Sequence, residues 1–145
     1  MKKHTLIENI KLDPHTYLVT IGTDMGQFSG AVECREEDWG YESRFFGFEL
    51  AEVKAEIQYA RAKKNYYAAQ LDALVRFWRE MAETRTYNVD AFWVKKMRKS
   101  VDEVTEQKNY WAFMTRHMKQ RYHEMIVEFD AQKAVRDKVR GKKHD

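Results

Sequence analysis

Proline occurs once in the 145 residues, cysteine once and glycine six times. So little turn chemistry argues against an all-β fold, and a lone Cys34 excludes an internal disulfide. Nothing therefore requires an oxidising compartment. The opening MKKHTLIENIKLDPH has lysines but no apolar segment behind them, so no secretory signal is read there. No apolar run reaches the roughly 18 residues of a membrane span. The expectation is a soluble cytoplasmic protein with no membrane partner. Phosphate-cradling and nucleophile-bearing signatures (GxGxxG, Walker, GxSxG) are missing too, so no cofactor is expected.

What is present excludes disorder: 43% of residues are hydrophobic, 14% aromatic and 34% charged. The length suits a single domain over 1–145. Net charge is +3, but it is polarised along the chain. Residues 1–44 hold five basic and eight acidic side chains, residues 45–84 six of each, and residues 85–145 fifteen basic and nine acidic. Such a gradient steers an encounter without choosing between nucleic acid and an acidic protein.

Period-two alternation marks residues 1–44 as a β region. Tyr17, Val19 and Ile21 share one face, and Phe28, Gly30, Val32 and Cys34 repeat it after the turn TDMG. ENIKL (8–12), ahead of Asp13-Pro14, is a candidate third strand. Two strands alone are marginal in water, so the helices must support this hairpin or small sheet. An acidic loop, REEDWGYE (35–42), follows.

From Phe46 the period becomes 3.5. Phe46, Leu50, Val53, Ile57, Ala60, Lys64, Tyr67, Leu71, Leu74, Trp78 and Met81 step by four and three, predicting a long first helix over 45–84. Val94, Met97, Val101, Val104, Lys108, Trp111, Thr115, Met118, Tyr122, Met125 and Phe129 do the same for a second helix over 88–140, ahead of a basic tail at 141–145. Asn88 or Asp90 in the short link is a candidate cap, and the shortness of that link makes the helices antiparallel neighbours. SVDE (100–103) also fits a capping box, which would break the second helix near Ser100. The fold expected is thus α+β and α-dominant: an N-terminal antiparallel hairpin or small sheet packed on a long, coiled-coil-like helical hairpin. A second apolar strip contains Tyr59, Tyr66, Phe77, Phe92, Trp93, Tyr110 and Phe113. It implies that more than one stripe is buried, against the β region or in a homodimer formed through the helices.

The pentapeptide KNYYA (64–68) returns as KNYWA (108–112). With the link centred near Thr86, Lys64 and Lys108 fall level on the two helices as paired seam lysines. Either their stems are buried while the ammonium groups reach water, or a carboxylate such as Glu56 or Glu106, or an external acid, sits between them.

Chemistry finds little purchase. Of His4, His15, His117, His123 and His144, the helical pair His117 and His123 is six apart, off the spacing of a metal-binding helix face, so no metal site is expected. Cys34 precedes a run of acids that would raise a thiol pKa, so a structural role outweighs a nucleophilic one. No catalytic residues are assigned.

The expected function is therefore a non-catalytic interaction module that occludes or bridges a macromolecular partner, protein or ribonucleoprotein, with Glu36, Glu37, Asp38 and Trp39 as partner-binding residues. In character such a small, motif-free, charge-polarised chain resembles phage-type inhibitors of host defence nucleases, anti-CRISPR proteins among them, which would place it in the host cytoplasm. An alternative is nucleic-acid binding through Lys95, Lys96, Arg98 and Lys99 on the second helix with Arg140, Lys142 and Lys143 near the C-terminus. A third reading, a small enzyme, rests on a Tyr/His/Glu cluster that spacing alone does not assemble.

Overall fold

The computed structural model describes residues 4–34, 43–84 and 91–144, with helical side chains described over 46–83 and 93–139. Three strands, β1 (Thr5–Asp13), β2 (Thr16–Thr23) and β3 (Gly26–Glu33), form an antiparallel sheet of order β1-β2-β3. Two long helices follow, α1 (Ser43–Thr84) and α2 (Ala91–His144), and they pack against each other. The α-dominant α+β architecture is thus the one the periodicities predict, with ENIKL inside β1. The helices begin and end within a few residues of the expected bounds. The candidate caps Asn88 and Asp90, and the acidic loop, lie outside the described residues.

α2 runs unbroken through Ser100. The Ser100 hydroxyl donates to the Lys96 carbonyl at 2.9 Å instead of capping a new helix. A serine flanked by helix-forming residues on both sides bonds back one turn, and the backbone has no reason to leave the helix.

Spatial proximity divides the chain into two compact units, Met1–Tyr59 with Arg116–Asp145, and Ala60–Thr115. The first holds the sheet. Side chains close both of its turns. Asp13 Oδ1 accepts the His15 amide and Oδ2 the Thr16 hydroxyl, each at 2.8 Å. Thr23 Oγ1 accepts the Met25 amide at 3.1 Å and donates to the Gly26 carbonyl at 2.8 Å, with Gly26 at φ 104°. Only glycine takes that backbone angle without strain.

Pairing of Tyr17 with Val32, Val19 with Gly30 and Ile21 with Phe28 puts the expected apolar faces together. Tyr17, Val19, Ile21, Val32 and Cys34 are buried there, as are Leu50, Ala51, Val53, Ala55 and Tyr59 of α1. Two glycines allow this contact. A Cβ at Gly30 would run into the Ala51 carbonyl oxygen, the Ala55 nitrogen and Lys54 Cβ, and one at Gly47 would strike the Tyr17 ring. Tyr17 meets Phe48 edge-on at 4.9 Å, and Phe28 meets Tyr59 at 5.8 Å. The Tyr59 hydroxyl donates to Asp24 Oδ1 at 2.5 Å, and Lys54 Nζ to the Ala31 carbonyl at 3.2 Å. In the same unit the helices join through Phe46 and Phe129, whose ring centroids lie 3.6 Å apart. Burying side chains the size of Ile21 or Leu50 stabilises by roughly 1.5–3 kcal/mol each.

Among the described residues, the second unit is formed by the helix pair. Its seam residues are buried or half-buried, with Ala60, Trp111 and Thr115 the most enclosed. Trp78 and Trp93 approach at 6.3 Å. Among the described residues no helix is long and apolar enough to cross a membrane.

Substitutions in the sheet-bearing unit test this packing. Gly30→Ala places a methyl against helix backbone, which cannot rotate away, and should destabilise by about 2 kcal/mol in urea denaturation, within the usual range for overpacking. Asp13 has its pKa lowered below the ordinary 3.8, first by the His15 amide and then by the Thr16 hydroxyl. A lowered carboxyl pKa contributes stability above its unfolded value and loses it as pH falls through the folded one. Asp13→Asn should therefore lower Tm at neutral pH, and the gap from wild type should close below pH 3.8. An unchanged gap would assign the effect to turn geometry instead of charge.

Candidate functional site

The repeated pentapeptides have one geometry. Tyr66 meets Tyr67 at 5.1 Å and 79°, and Tyr110 meets Trp111 at 5.1 Å and 82°. In each, the second aromatic enters the seam while the first stays outside, 48% exposed at Tyr66 and 47% at Tyr110. A 3.5-residue repeat requires this, because adjacent positions lie about 100° apart around a helix. Lys64 and Lys108 are half-buried, and neither forms a hydrogen bond or ion pair among the described residues. Lys63, not Lys64, reaches across, lying 5.9 Å from the Tyr67 ring centroid and 5.8 Å from that of Trp111. A flanking position lets a long side chain lie over the rim, whereas a seam position holds its stem between the helices. Of the suggested internal partners, Glu106 is exposed and Glu56 is engaged by His4.

The outward aromatics belong to a larger surface on one flank of the helix pair in the second unit. A shallow groove of about 450 Å³ is lined by Gln70, Ala73, Leu74 and Phe77 of α1 and by Ser100, Glu103 and Val104 of α2. Tyr66 lies one heptad before Ala73, and Tyr110 one heptad after Glu103, so both extend this flank. Phe77 is 51% exposed at the groove itself. Gln70 donates to the Tyr66 hydroxyl at 3.1 Å, which holds that ring at the groove margin. Trp93 and Lys96 stand one heptad before Ser100 and Glu103, with Lys96 Nζ 5.5 Å from the Trp93 ring centroid. Phe113 is 55% exposed on the side of α2 opposite the seam and is not among the groove lining.

The residues expected to act fare differently. Glu36, Glu37, Asp38 and Trp39 lie outside the described residues. Lys95, Lys96, Arg98 and Lys99 are all exposed on α2. Arg140, Lys142 and Lys143 fall within α2, and their side chains are outside the described set. Cys34 is buried, 1% exposed. His117 and His123 are exposed and lie on different faces of α2.

A cluster unseen by sequence reasoning lies in the first unit. His4 precedes β1, and its Nε2 stands 3.1 Å from Glu52 Oε1 and 3.5 Å from Glu56 Oε1. The His4 side chain is 8% exposed, that of Glu56 12% and that of Glu52 40%. Burial pushes the Glu56 carboxyl above its usual value; His4 and Arg121 oppose that rise and Glu52 adds to it. The i,i+4 spacing of Glu52 and Glu56 was visible in the sequence. His4, 48 positions from Glu52, is joined to the pair only by folding. No known protein family, curated protein or solved structure matches this chain.

Proposed function

We propose that the chain is a non-catalytic interaction protein, and that the aromatic flank of its Ala60–Thr115 unit is the surface that binds a protein partner. The observation that supports this reading most is an apolar groove lined by exposed Phe77, with Tyr66 and Tyr110 exposed one heptad along the same flank. These rings are exposed to water, and contiguous apolar area of this kind marks interaction sites. Aromatic anchors ringed by Gln70, Glu103 and Lys96 match the anatomy of a small protein interface, with an apolar centre and a polar rim. Occlusion of a host defence nuclease in the cytoplasm, as anti-CRISPR proteins act, is the form of binding suggested by the chain's small size and charge gradient. The acidic stretch at 36–39 would add a second contact to a basic partner.

A photo-crosslinking residue at position 73 should capture a partner that the same residue at position 113 does not, and Phe77→Glu should reduce the yield at least tenfold. No adduct at position 73, or equal adducts at both positions, would remove the reading. Sedimentation of the purified protein comes first. A dimer dispersed by Phe77→Glu would assign the flank to a second copy of the chain.

Nucleic-acid binding is the second reading, favoured by the exposure of all four side chains at Lys95, Lys96, Arg98 and Lys99. It predicts that binding to a short duplex falls steeply with salt. The Lys95→Ala/Lys96→Ala double variant should then reduce the log–log salt slope by about 2, near one for each phosphate that is no longer neutralised. A slope near zero in the wild type rejects it.

A further inference from the structure

We propose that His4, Glu52 and Glu56 form a binding site for a divalent transition-metal ion of the Zn2+ class, one that staples the start of β1 to α1. The three side chains each offer one donor atom, and all three atoms lie within 4.8 Å of one another. Zinc holds imidazole nitrogen and carboxylate oxygen at about 2.0–2.2 Å, so two ligands of one tetrahedral ion stand roughly 3.4 Å apart. The observed separations from His4 Nε2, 3.1 Å and 3.5 Å, bracket that spacing. One nitrogen and two oxygens form a borderline donor set suited to Zn2+, Co2+ or Mn2+, whereas Mg2+ and Ca2+ prefer oxygen alone.

The competing account is an ordinary histidine–carboxylate ion pair, and its hydrogen-bond arithmetic is incomplete. Nε2 carries at most one proton, which points to one carboxylate, while two oxygens converge on it. Glu52 and Glu56 lie one turn apart on the same helix face, and like charges at that spacing repel. A divalent ion at the point of convergence satisfies both carboxylates and takes the Nε2 lone pair. Arg121 is near enough to act on Glu56 electrostatically and works against a cation. The affinity expected is therefore micromolar, below that of a dedicated structural zinc site. Glu52, the most exposed of the three, leaves a path for the ion and room for water as further ligands.

The site has a mechanical consequence. β1 is an edge strand, exposed along its whole length, whose ladder partner is β2. An ion shared by His4 and α1 anchors the entry to that strand. The site is independent of the docking flank, being built from other residues for another ligand.

The test is calorimetric titration of untagged protein with Zn2+, with Mg2+ as the control ion, alongside thermal denaturation. The result expected is one saturable micromolar site for Zn2+, a raised Tm on binding, and no heat with Mg2+. His4→Ala and Glu56→Gln should each weaken binding about tenfold or more, while His117→Ala leaves it unchanged. Circular dichroism of each variant reports that it is folded, and Glu52→Gln, at the exposed edge, is the ligand variant least able to disturb packing. Absence of saturable Zn2+ binding overturns the proposal. So does binding that survives His4→Ala and Glu52→Gln, or that is lost in His117→Ala.

Discussion

The close approach of β3 to α1 at Gly30 is the constraint on which the sheet-bearing unit depends. Strand backbone meets helix backbone with no side chain between them, and Ala51 and Ala55 are fully buried opposite it. Dispersion contacts fall off steeply with distance, so removing a side-chain layer at the centre of the interface lets everything around it close. Gly47 repeats the device on the helix, under the Tyr17 ring. With the two surfaces this near, Tyr59 reaches both Phe28 and Asp24, and Lys54 reaches the Ala31 carbonyl. The convergence of His4 on Glu52 and Glu56 depends on the same seating, because a sheet held farther from α1 would carry His4 out of reach.

The Ala60–Thr115 unit obeys a different rule. A helix in a two-helix pair can hide one stripe, and any apolar residue off that stripe remains in water. Tyr66, Phe77 and Tyr110 are such residues, and their shared flank gives the proposed docking surface its shape. The two units thus treat their surplus apolar side chains differently, one burying them under a sheet and the other leaving these aromatics exposed.

Much of the architecture was readable from periodicity. The seam residues of both helices are buried or half-buried in the structure, and the strand faces Tyr17-Val19-Ile21 and Phe28-Gly30-Val32-Cys34 point inward as their alternation implies. Period carries this because it reports which residues share a face, a local property of helix and strand. Period also carried the second helix through SVDE, where a local capping pattern competed with the uninterrupted seam and lost. It also paired Lys64 with Lys108 as the notable lysines, while the side chain that crosses the helix pair is Lys63, beside the seam. The candidate site was less legible. Its aromatics were recognised as a second strip, yet the strip divides in the structure, with Tyr59 covered by the sheet and Tyr66, Phe77 and Tyr110 left bare.

The order of elements, the seam of each helix and the inner face of the sheet follow from residues a few positions apart, and local pattern suffices to read them. Packing in three dimensions sets Gly30 against helix backbone, forms the apolar groove on one flank of the helix pair, and brings His4 to Glu52 and Glu56. These are meetings between segments distant in the chain. Their geometry is set by how closely surfaces pack, a quantity that no local pattern of residues encodes.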